Sequence, residues 1–276
     1  MPEGPEVRRS ADRIARALEG ERIHEVRFGQ EALAPWNDAL SGRRLESVAT
    51  HGKATLLRFG GGFTVYSHNQ LYGRWQIARR GRLPETARQL RLALHGSDRS
   101  ALLYSASDIA VLKDGEVDGF PRLARLGPDP LHATTTARTV RDRALSMPFA
   151  RRRLGGLLLD QSFAAGLGNY LRSEILWVAR LHPALRPSDL DDTALTGLAK
   201  AVVSLPRRSY RTGGVTNSRS AAAAGRAAGL PRRRWRHFVF GREDAPCPAC
   251  GGPVRRLIVA GRRLYLCPDC QPEDPS

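Results

Sequence analysis

The chain has 276 residues, a length that suits two domains or one domain with appendages. Hydrophobic residues make up 41% of it, which is enough to form a hydrophobic core. The sequence contains no apolar run near the roughly 20 residues of a membrane span and starts without a signal-peptide pattern, so we expect a cytoplasmic protein. The net charge of +17 favours a polyanionic partner, with nucleic acid as the first candidate and a merely basic, soluble surface as the alternative.

The amino terminus, Met1 to Glu6, carries the first candidate for chemistry. Removal of Met1 would give Pro2 a free secondary amine, and an α-amino group with a pKa of about 7.7–8 is partly neutral near pH 7. Such an amine can attack an aldehyde carbon and form an iminium. Glu3 lies beside that nitrogen as a candidate acid or base. The alternative is that Pro2 and Pro5 only begin a helix.

Residues 5–18 have the apolar spacing of an amphipathic helix that begins at Pro5 and ends at Gly20. Short strands follow from about residue 22 to 112, and one pair flanks the glycines at 60–62. Antiparallel strands at this spacing predict a β-sandwich.

Lys53 is one of only three lysines in a sequence rich in arginine. A lysine kept in such a background suggests that a titratable amine is needed, although it is also typical of an ordinary surface position at a strand start. The next polar turn contains Gln70, Leu71 and Tyr72. These side chains suit a wedge that enters a DNA base stack, or else a well-packed loop.

The region from Gly119 to Pro130 is typical of an interdomain linker because of its prolines and glycines. A helical pattern follows over 137–205, and within 157–177 it predicts two helices joined by a tight turn at Gly166 and Gly168. Asn169 is the predicted N-cap, and Leu171, Ile175 and Val178 form the predicted buried stripe. This helix start is a candidate phosphate site, with an ordinary capped helix as the alternative.

All four cysteines form two Cys-x-x-Cys pairs: Cys247, Cys250, Cys267 and Cys270. Two such pairs close a tetrahedral four-sulfur site and predict one structural zinc, with an iron centre or a redox pair as the alternatives. Between them the sequence predicts a β-hairpin turning at Ala260-Gly261, with Arg262 at its tip. That arginine suits a phosphate contact, or else lies on a merely solvated loop.

The sequence therefore predicts an α+β protein. Its expected parts are an N-terminal antiparallel β-sandwich with a leading catalytic helix over 1–118, a linker over 119–136, a helix-two-turn-helix domain over 137–210, a mobile basic loop over 211–237 and a zinc finger over 238–272.

These features together resemble the formamidopyrimidine-DNA glycosylase / endonuclease VIII family, and within it the endonuclease VIII branch. The resemblance covers nearly the whole chain and rests on the start Met1–Arg9, on His51–Ala54, Tyr66–Gly73, Leu103–Ile109, Gly156–Gln161 and Ala165–Trp177, and on the finger. It implies a bacterial, monomeric, nucleoid-associated enzyme that acts on damaged double-stranded DNA with no redox or organic cofactor.

The resemblance also implies individual roles. Pro2 would form the Schiff base at the sugar C1′, and Glu3 would be the acid that helps to open the sugar ring. Lys53 would be the general acid for base departure and β-elimination, and Arg262 would grip phosphate for δ-elimination. The implied DNA contacts are Gln70, Leu71, Tyr72, Arg125 and Asn169.

The expected reaction is removal of oxidised pyrimidines followed by β,δ-elimination. Two alternatives stay open: a formamidopyrimidine-DNA glycosylase acting on oxidised purines, and a non-catalytic zinc-finger protein that binds damage. The chain departs from the family at an extra Ala/Gly stretch from about Ala221 to Gly229, which leaves the lesion specificity open. A second departure is Arg263-Leu264 in the finger hairpin, where proline and an aromatic residue are expected.

Overall fold

The structure, a computed structural model, describes residues 2–273 and divides into two compact units between Arg125 and Leu126. The division lies inside the stretch expected to be a linker. Each unit has its own hydrophobic core. None of the helices within residues 2–273 is both long enough and apolar enough to span a bilayer.

The first unit begins with helix α1, Gly4–Leu18, which confirms the predicted leading helix. Its apolar stripe is buried because Val7, Ala11, Ile14 and Leu18 recur at helical spacing. A capping box closes its first turn: the backbone N–H of Glu3 donates to Glu6 Oε2 over 3.0 Å.

Two four-stranded antiparallel sheets form the rest of this core and confirm the predicted sandwich. The strands are β1 Glu25–Phe28, β2 Leu45–His51, β3 Ala54–Phe59, β4 Phe63–His68, β5 Arg74–Arg79, β6 Leu90–His95, β7 Arg99–Tyr104 and β8 Asp108–Lys113. Their orders in the two sheets are β1-β6-β7-β5 and β2-β3-β4-β8. Two short helices, α2 Trp36–Leu40 and α3 Pro121–Ala124, complete the unit.

The second unit begins with helices α4 Ala137–Leu145, α5 Leu154–Leu157, α6 Asn169–Ala179 and α7 Asp192–Thr212. Two details of the sequence prediction were wrong. Gly168 is the N-cap of α6 and Asn169 is its first residue, because the carbonyl oxygen of Gly168 accepts the first hydrogen bond of the helix, from Arg172 N at 3.0 Å. Val178 is 40% exposed, since only the first two turns of α6 are fully enclosed by the core.

The segment expected to be a basic loop, residues 211–237, also differs from the prediction. It contains helices α8 Arg219–Ala227 and α9 Arg232–Trp235. Ser218 caps α8 by accepting from Ala221 N, and alanine is the strongest helix former, so an alanine-rich stretch after a serine cap folds locally. Low sequence complexity concealed this helix.

The final module contains the hairpin β9 Arg255–Val259 and β10 Arg262–Leu266, as predicted. Ala260 and Gly261 both have positive φ, at 51° and 68°, which is the two-residue turn that suits the twist of a hairpin.

Candidate active site and nucleic-acid interface

Pro2 immediately precedes a fixed helix start. It is partly exposed, whereas Glu3 is buried with 3% of its surface accessible. The carbonyl oxygen of Glu3 accepts from the N–H groups of Glu6 and Val7, both at 3.0 Å. The backbone next to Pro2 is therefore rigid while the proline itself reaches solvent. Met1, whose removal the Schiff-base hypothesis requires, lies outside the described residues.

Lys53 lies in the two-residue turn between β2 and β3, in which His51 pairs with Ala54. Gly52 has a φ of 60°, so the turn needs glycine at this first position. Helix α1 packs on both of these strands. The fold thus places Lys53 on the strand pair that supports the helix beginning beside Pro2 and Glu3.

His68 had no role in the sequence prediction, but the strand register makes it a neighbour of this turn. It pairs with Ala54 on one side and with Asp108 on the other. Burial lowers the pKa of His68, and the charge of Lys53 lowers it further, while Asp108 opposes the change. The neutral ring accepts at Nδ1 from the N–H of Gln70 at 3.1 Å. Only the strand pairing, which the sequence does not display, could have identified this link.

The wedge candidate is an exposed but braced loop. Leu71 and Tyr72 expose 63% and 71% of their surface. Gln70 has a φ of 50°, and its Oε1 accepts from Ser107 Oγ at 3.0 Å. A side chain at Gly73 would meet the carbonyl oxygen of Asn69 at 2.4 Å, so the tight return of the loop requires glycine. Two apolar side chains therefore project to solvent from a rigid base.

In the second unit, the turn before α6 is held by Gln161, which the sequence analysis did not single out. Its Oε1 accepts from Gly166 N at 3.0 Å, and its Nε2 donates to the carbonyl oxygens of Leu159 and Leu167, both at 2.9 Å. Gly166 has a φ of 89°, a conformation that favours glycine. The start of α6 is thus a braced helix N-terminus with its partial positive charge.

Asn169 and Arg262 are brought together by one side chain, Arg172. Its Nη2 donates to Asn169 Oδ1 at 2.8 Å and to the carbonyl oxygen of Arg262 at 3.3 Å. Because the amide oxygen of Asn169 is engaged, its Nδ2 group remains the natural donor to a ligand. Arg262 is exposed at the first position of β10, and Arg125 is exposed at the end of the first unit.

The four cysteines form a cluster whose Sγ atoms all lie within 4.8 Å of one another. Thiolates bound about 2.3 Å from a shared tetrahedral ion lie about 3.8 Å apart, and two of the Sγ pairs here are 3.4 and 3.9 Å apart. The donor set therefore fits the predicted metal site. Trp177 Nε1 donates to Cys247 Sγ at 3.4 Å, which attaches the site to α6.

Three family models match the chain. The formamidopyrimidine-DNA glycosylase N-terminal domain matches residues 1–107, the H2TH domain of the same family matches 126–220, and the zinc finger found in FPG and IleRS matches 245–272.

Curated relatives include endonuclease 8 of Klebsiella pneumoniae subsp. pneumoniae, 44% identical over 98% of this chain and 100% of the relative. Endonuclease 8 of Salmonella enteritidis is 42% identical with the same coverage. A solved complex of Lactococcus lactis Fpg with DNA containing an abasic site has the same fold, with a TM-score of 0.80 at 21% identity over 98% of this chain and 99% of that one. Identity of this extent over nearly the full length shows that the chain belongs to the formamidopyrimidine-DNA glycosylase / endonuclease VIII family of base-excision-repair DNA glycosylases with apurinic/apyrimidinic lyase activity.

Proposed function

We propose that this enzyme removes oxidised pyrimidines from duplex DNA and cuts the strand by β,δ-elimination through a Schiff base on Pro2. The observation that carries the proposal is the placement of Pro2 directly ahead of the capped start of α1, with Glu3 buried beside it. A nucleophile gains most when its geometry is fixed before the substrate arrives.

In the proposed first step, the neutral Pro2 nitrogen attacks C1′ of the flipped nucleotide. A C–N bond forms, the glycosidic bond breaks, and the base leaves with a proton. Glu3 supplies a proton for opening of the sugar ring, and Lys53 acts as the general acid for base departure.

The Pro2 nitrogen then loses its proton to solvent while the C1′–O4′ bond breaks and O4′ takes up the proton from Glu3, which leaves an iminium at C1′. This iminium withdraws electrons and acidifies the C2′ proton. Loss of that proton expels the 3′ phosphate, and a second elimination expels the 5′ phosphate, leaving a one-nucleotide gap. These are substitution and elimination steps with no net oxidation, so the proposal needs no redox or organic cofactor.

DNA binding is assigned to a second set of groups, and one of them, Arg262, also grips phosphate for the δ-elimination step. Arg262, Asn169 and Arg125 contact phosphates, and the exposed loop of Gln70, Leu71 and Tyr72 fills the space that the flipped nucleotide leaves. Removing a damaged base from the stack costs least where it pairs or stacks poorly. We take the enzyme to act as a monomer on cytoplasmic, nucleoid DNA.

Zinc is the metal proposed for the cysteine cluster, and its role is structural. Four thiolates fill a tetrahedral shell and leave no position for water or substrate. Cys247, Cys250, Cys267 and Cys270 would bind the ion and hold the finger hairpin in its fold.

The deciding experiment is borohydride trapping on duplex DNA with one abasic site. The wild-type enzyme, with loss of Met1 verified by mass spectrometry, should form a reduced covalent adduct that maps to Pro2. Pro2→Gly should lose most of this adduct, whereas the control Pro5→Ala, inside the first turn of α1, should keep it. An adduct mapped to another residue would refute the Pro2 assignment, and no adduct at all would favour non-catalytic damage binding.

The choice of pyrimidines over purines rests on the relatives. Proteins named endonuclease 8 are 42–44% identical to this chain, whereas the solved Fpg structures are 20–22% identical. Excision rates on duplexes containing thymine glycol or 8-oxoguanine test this choice. Faster removal of 8-oxoguanine would instead assign the enzyme to oxidised purines.

A further inference from the structure

Arg172 is the largest of the fully buried side chains, with 0% of its surface accessible. Burial of a guanidinium group is unfavourable unless its N–H groups find hydrogen-bond acceptors. A fully buried arginine is therefore expected to hold particular acceptor groups in place, and the hydrogen bonds of Arg172 show which groups these are.

The acceptors lie on three segments of the second unit. Nη1 donates to the carbonyl oxygens of Gly155, in α5, at 2.9 Å and of Val259, at the end of β9, at 3.0 Å. Nη2 donates to Asn169 Oδ1 at 2.8 Å and to the carbonyl oxygens of Arg263 at 3.1 Å and Arg262 at 3.3 Å.

Two of these acceptors, Val259 and Arg262, flank the turn of the finger hairpin, because they pair across Ala260-Gly261, and the third, Arg263, is the next residue of β10. One guanidinium thus binds both strands of the hairpin at the base of its tip and, at the same time, the side chain of Asn169. The planar fork of arginine, with five N–H donors, can do this, whereas the ammonium of lysine has three donors on one atom.

Other hydrogen bonds attach the finger to the helices further from the tip. Tyr265 N donates to Ser173 Oγ at 3.2 Å, and Gln271 Nε2 donates to the carbonyl oxygen of Leu181 at 2.9 Å. Leu264 and Leu266 are also buried in the core of this unit. The finger would therefore stay docked without Arg172, and what Arg172 adds is the position of the tip relative to Asn169.

We propose that Arg172 is a positioning residue for phosphate binding, which fixes the Arg262 backbone and the Asn169 amide in one hydrogen-bonded unit. This inference rests on the proposed phosphate contacts of Asn169 and Arg262. Arg172 does not touch DNA; it determines where the two groups that do so are held.

The test compares Arg172→Lys and Arg172→Met with wild type on abasic duplex DNA under single-turnover conditions. The ratio of β,δ to β products should fall by roughly tenfold or more, since misplacing a catalytic group by about 1 Å costs up to about 100-fold. Borohydride trapping at saturating enzyme should stay within about twofold of wild type, because Pro2 lies in the other unit. One zinc per chain should remain bound.

Two further variants make the result specific. Ser173→Ala removes a helix-to-finger hydrogen bond away from the tip and should leave the product ratio unchanged. Adding Arg172→Lys to Arg262→Ala should cause no further loss, because residues that act through one another are not additive. A multiplicative loss in the double variant, or an equal loss of trapping and elimination with zinc retained, would overturn the proposal.

Binding separates this inference from the proposed chemistry. Affinity for a duplex with a stable abasic analogue involves no reaction, so it is informative even if the Pro2 mechanism fails. In this binding measurement, Arg172→Lys should weaken the affinity for DNA. It should also make the fall of log K with log salt less steep, by about 0.9 for each phosphate that the protein no longer neutralises. An unchanged affinity and slope would show that Arg172 does not position a phosphate-binding group.

Discussion

His237 is a buried imidazole whose neighbours select its neutral form. Arg236 Nε donates to His237 Nε2 at 2.7 Å, so the ring proton lies on Nδ1, which is 2.9 Å from Thr216 Oγ1. The Thr216 hydroxyl in turn donates to Glu174, whose carboxylate also accepts from the backbone N–H groups of residues 238–240. This chain of donors ties both ends of the 217–236 segment to α6.

Acidification should weaken the fold through this histidine. Burial lowers the pKa of His237 to about 3, with Arg236 and Arg232 adding to the effect, while an unfolded histidine titrates near 6.5. The contribution of neutral His237 to the free energy of unfolding is therefore complete above about pH 6.5. It declines as the pH falls towards 3, by at most about 1.4 kcal/mol per pH unit.

Chemical denaturation at pH 5 and pH 7.5 measures the effect. The free energy of unfolding of the wild-type protein should fall more between these values than that of His237→Gln, which cannot titrate. Equal falls in the two proteins would contradict this account of His237.

At the scale of elements, we expect substitutions in the loop of Gln70, Leu71 and Tyr72 to affect excision from double-stranded DNA more than excision from single-stranded DNA. Replacing both Leu71 and Tyr72 by alanine should slow lesion excision from duplex DNA by roughly tenfold, because the base stack loses the wedge that keeps it open, at a few kcal/mol per unstacked step. Excision from single-stranded DNA should change much less. Leu83→Ala is the control, since Leu83 is similarly exposed, at 61%. Equal slowing on both substrates would assign the loop another role.

Helices and strands that are specified by residues close together in the chain could be predicted from the sequence. The apolar stripe and capping box specify α1, and the glycine-containing turns at 60–62 and 260–261 specify two hairpins. The same locality allowed the sequence to predict where Pro2, Lys53 and Arg262 lie in the fold, because each lies at the boundary of a helix or strand.

Features that depend on distant partners could not be predicted. His68 meets the Lys53 turn only through strand register, and three of the acceptors of Arg172 lie about 90 residues further along the chain. Helix α8 was missed for a different reason, because its alanine-rich sequence has the low complexity that is typical of a loop. Its packing depends on Gly225, which lies against Trp235.

At the scale of the whole molecule, charge is unevenly distributed. The sequence between Asp192 and Glu243 contains no acidic residue. Arg226 and Arg232 lie over the ring of Trp235, at 5.1 and 6.0 Å from its centroid. With the exposed Arg233 and Arg234 they form a basic surface that suits phosphate binding.

Replacing Arg232, Arg233 and Arg234 by alanine should therefore make log K for duplex DNA less dependent on log salt, by about 0.9 for each phosphate that these arginines neutralise in the wild-type complex. The matched control removes three exposed arginines from the other unit, Arg79, Arg80 and Arg82. If the salt dependence changes less in the control than in the α9 variant, the phosphate-binding groups lie on α9. If it changes equally in both variants, the effect comes from net charge alone.

Trp177 gives the metal site a built-in optical signal. Its indole stacks on Phe238 with ring centroids 4.4 Å apart and donates to a cysteine sulfur, so its emission should respond when a chelator withdraws the ion. Fluorescence titration with and without Trp177→Phe would follow that loss with no added dye, and a response that survives the substitution would point to another tryptophan. The integrity of the finger could then be monitored in the same cuvette as catalysis.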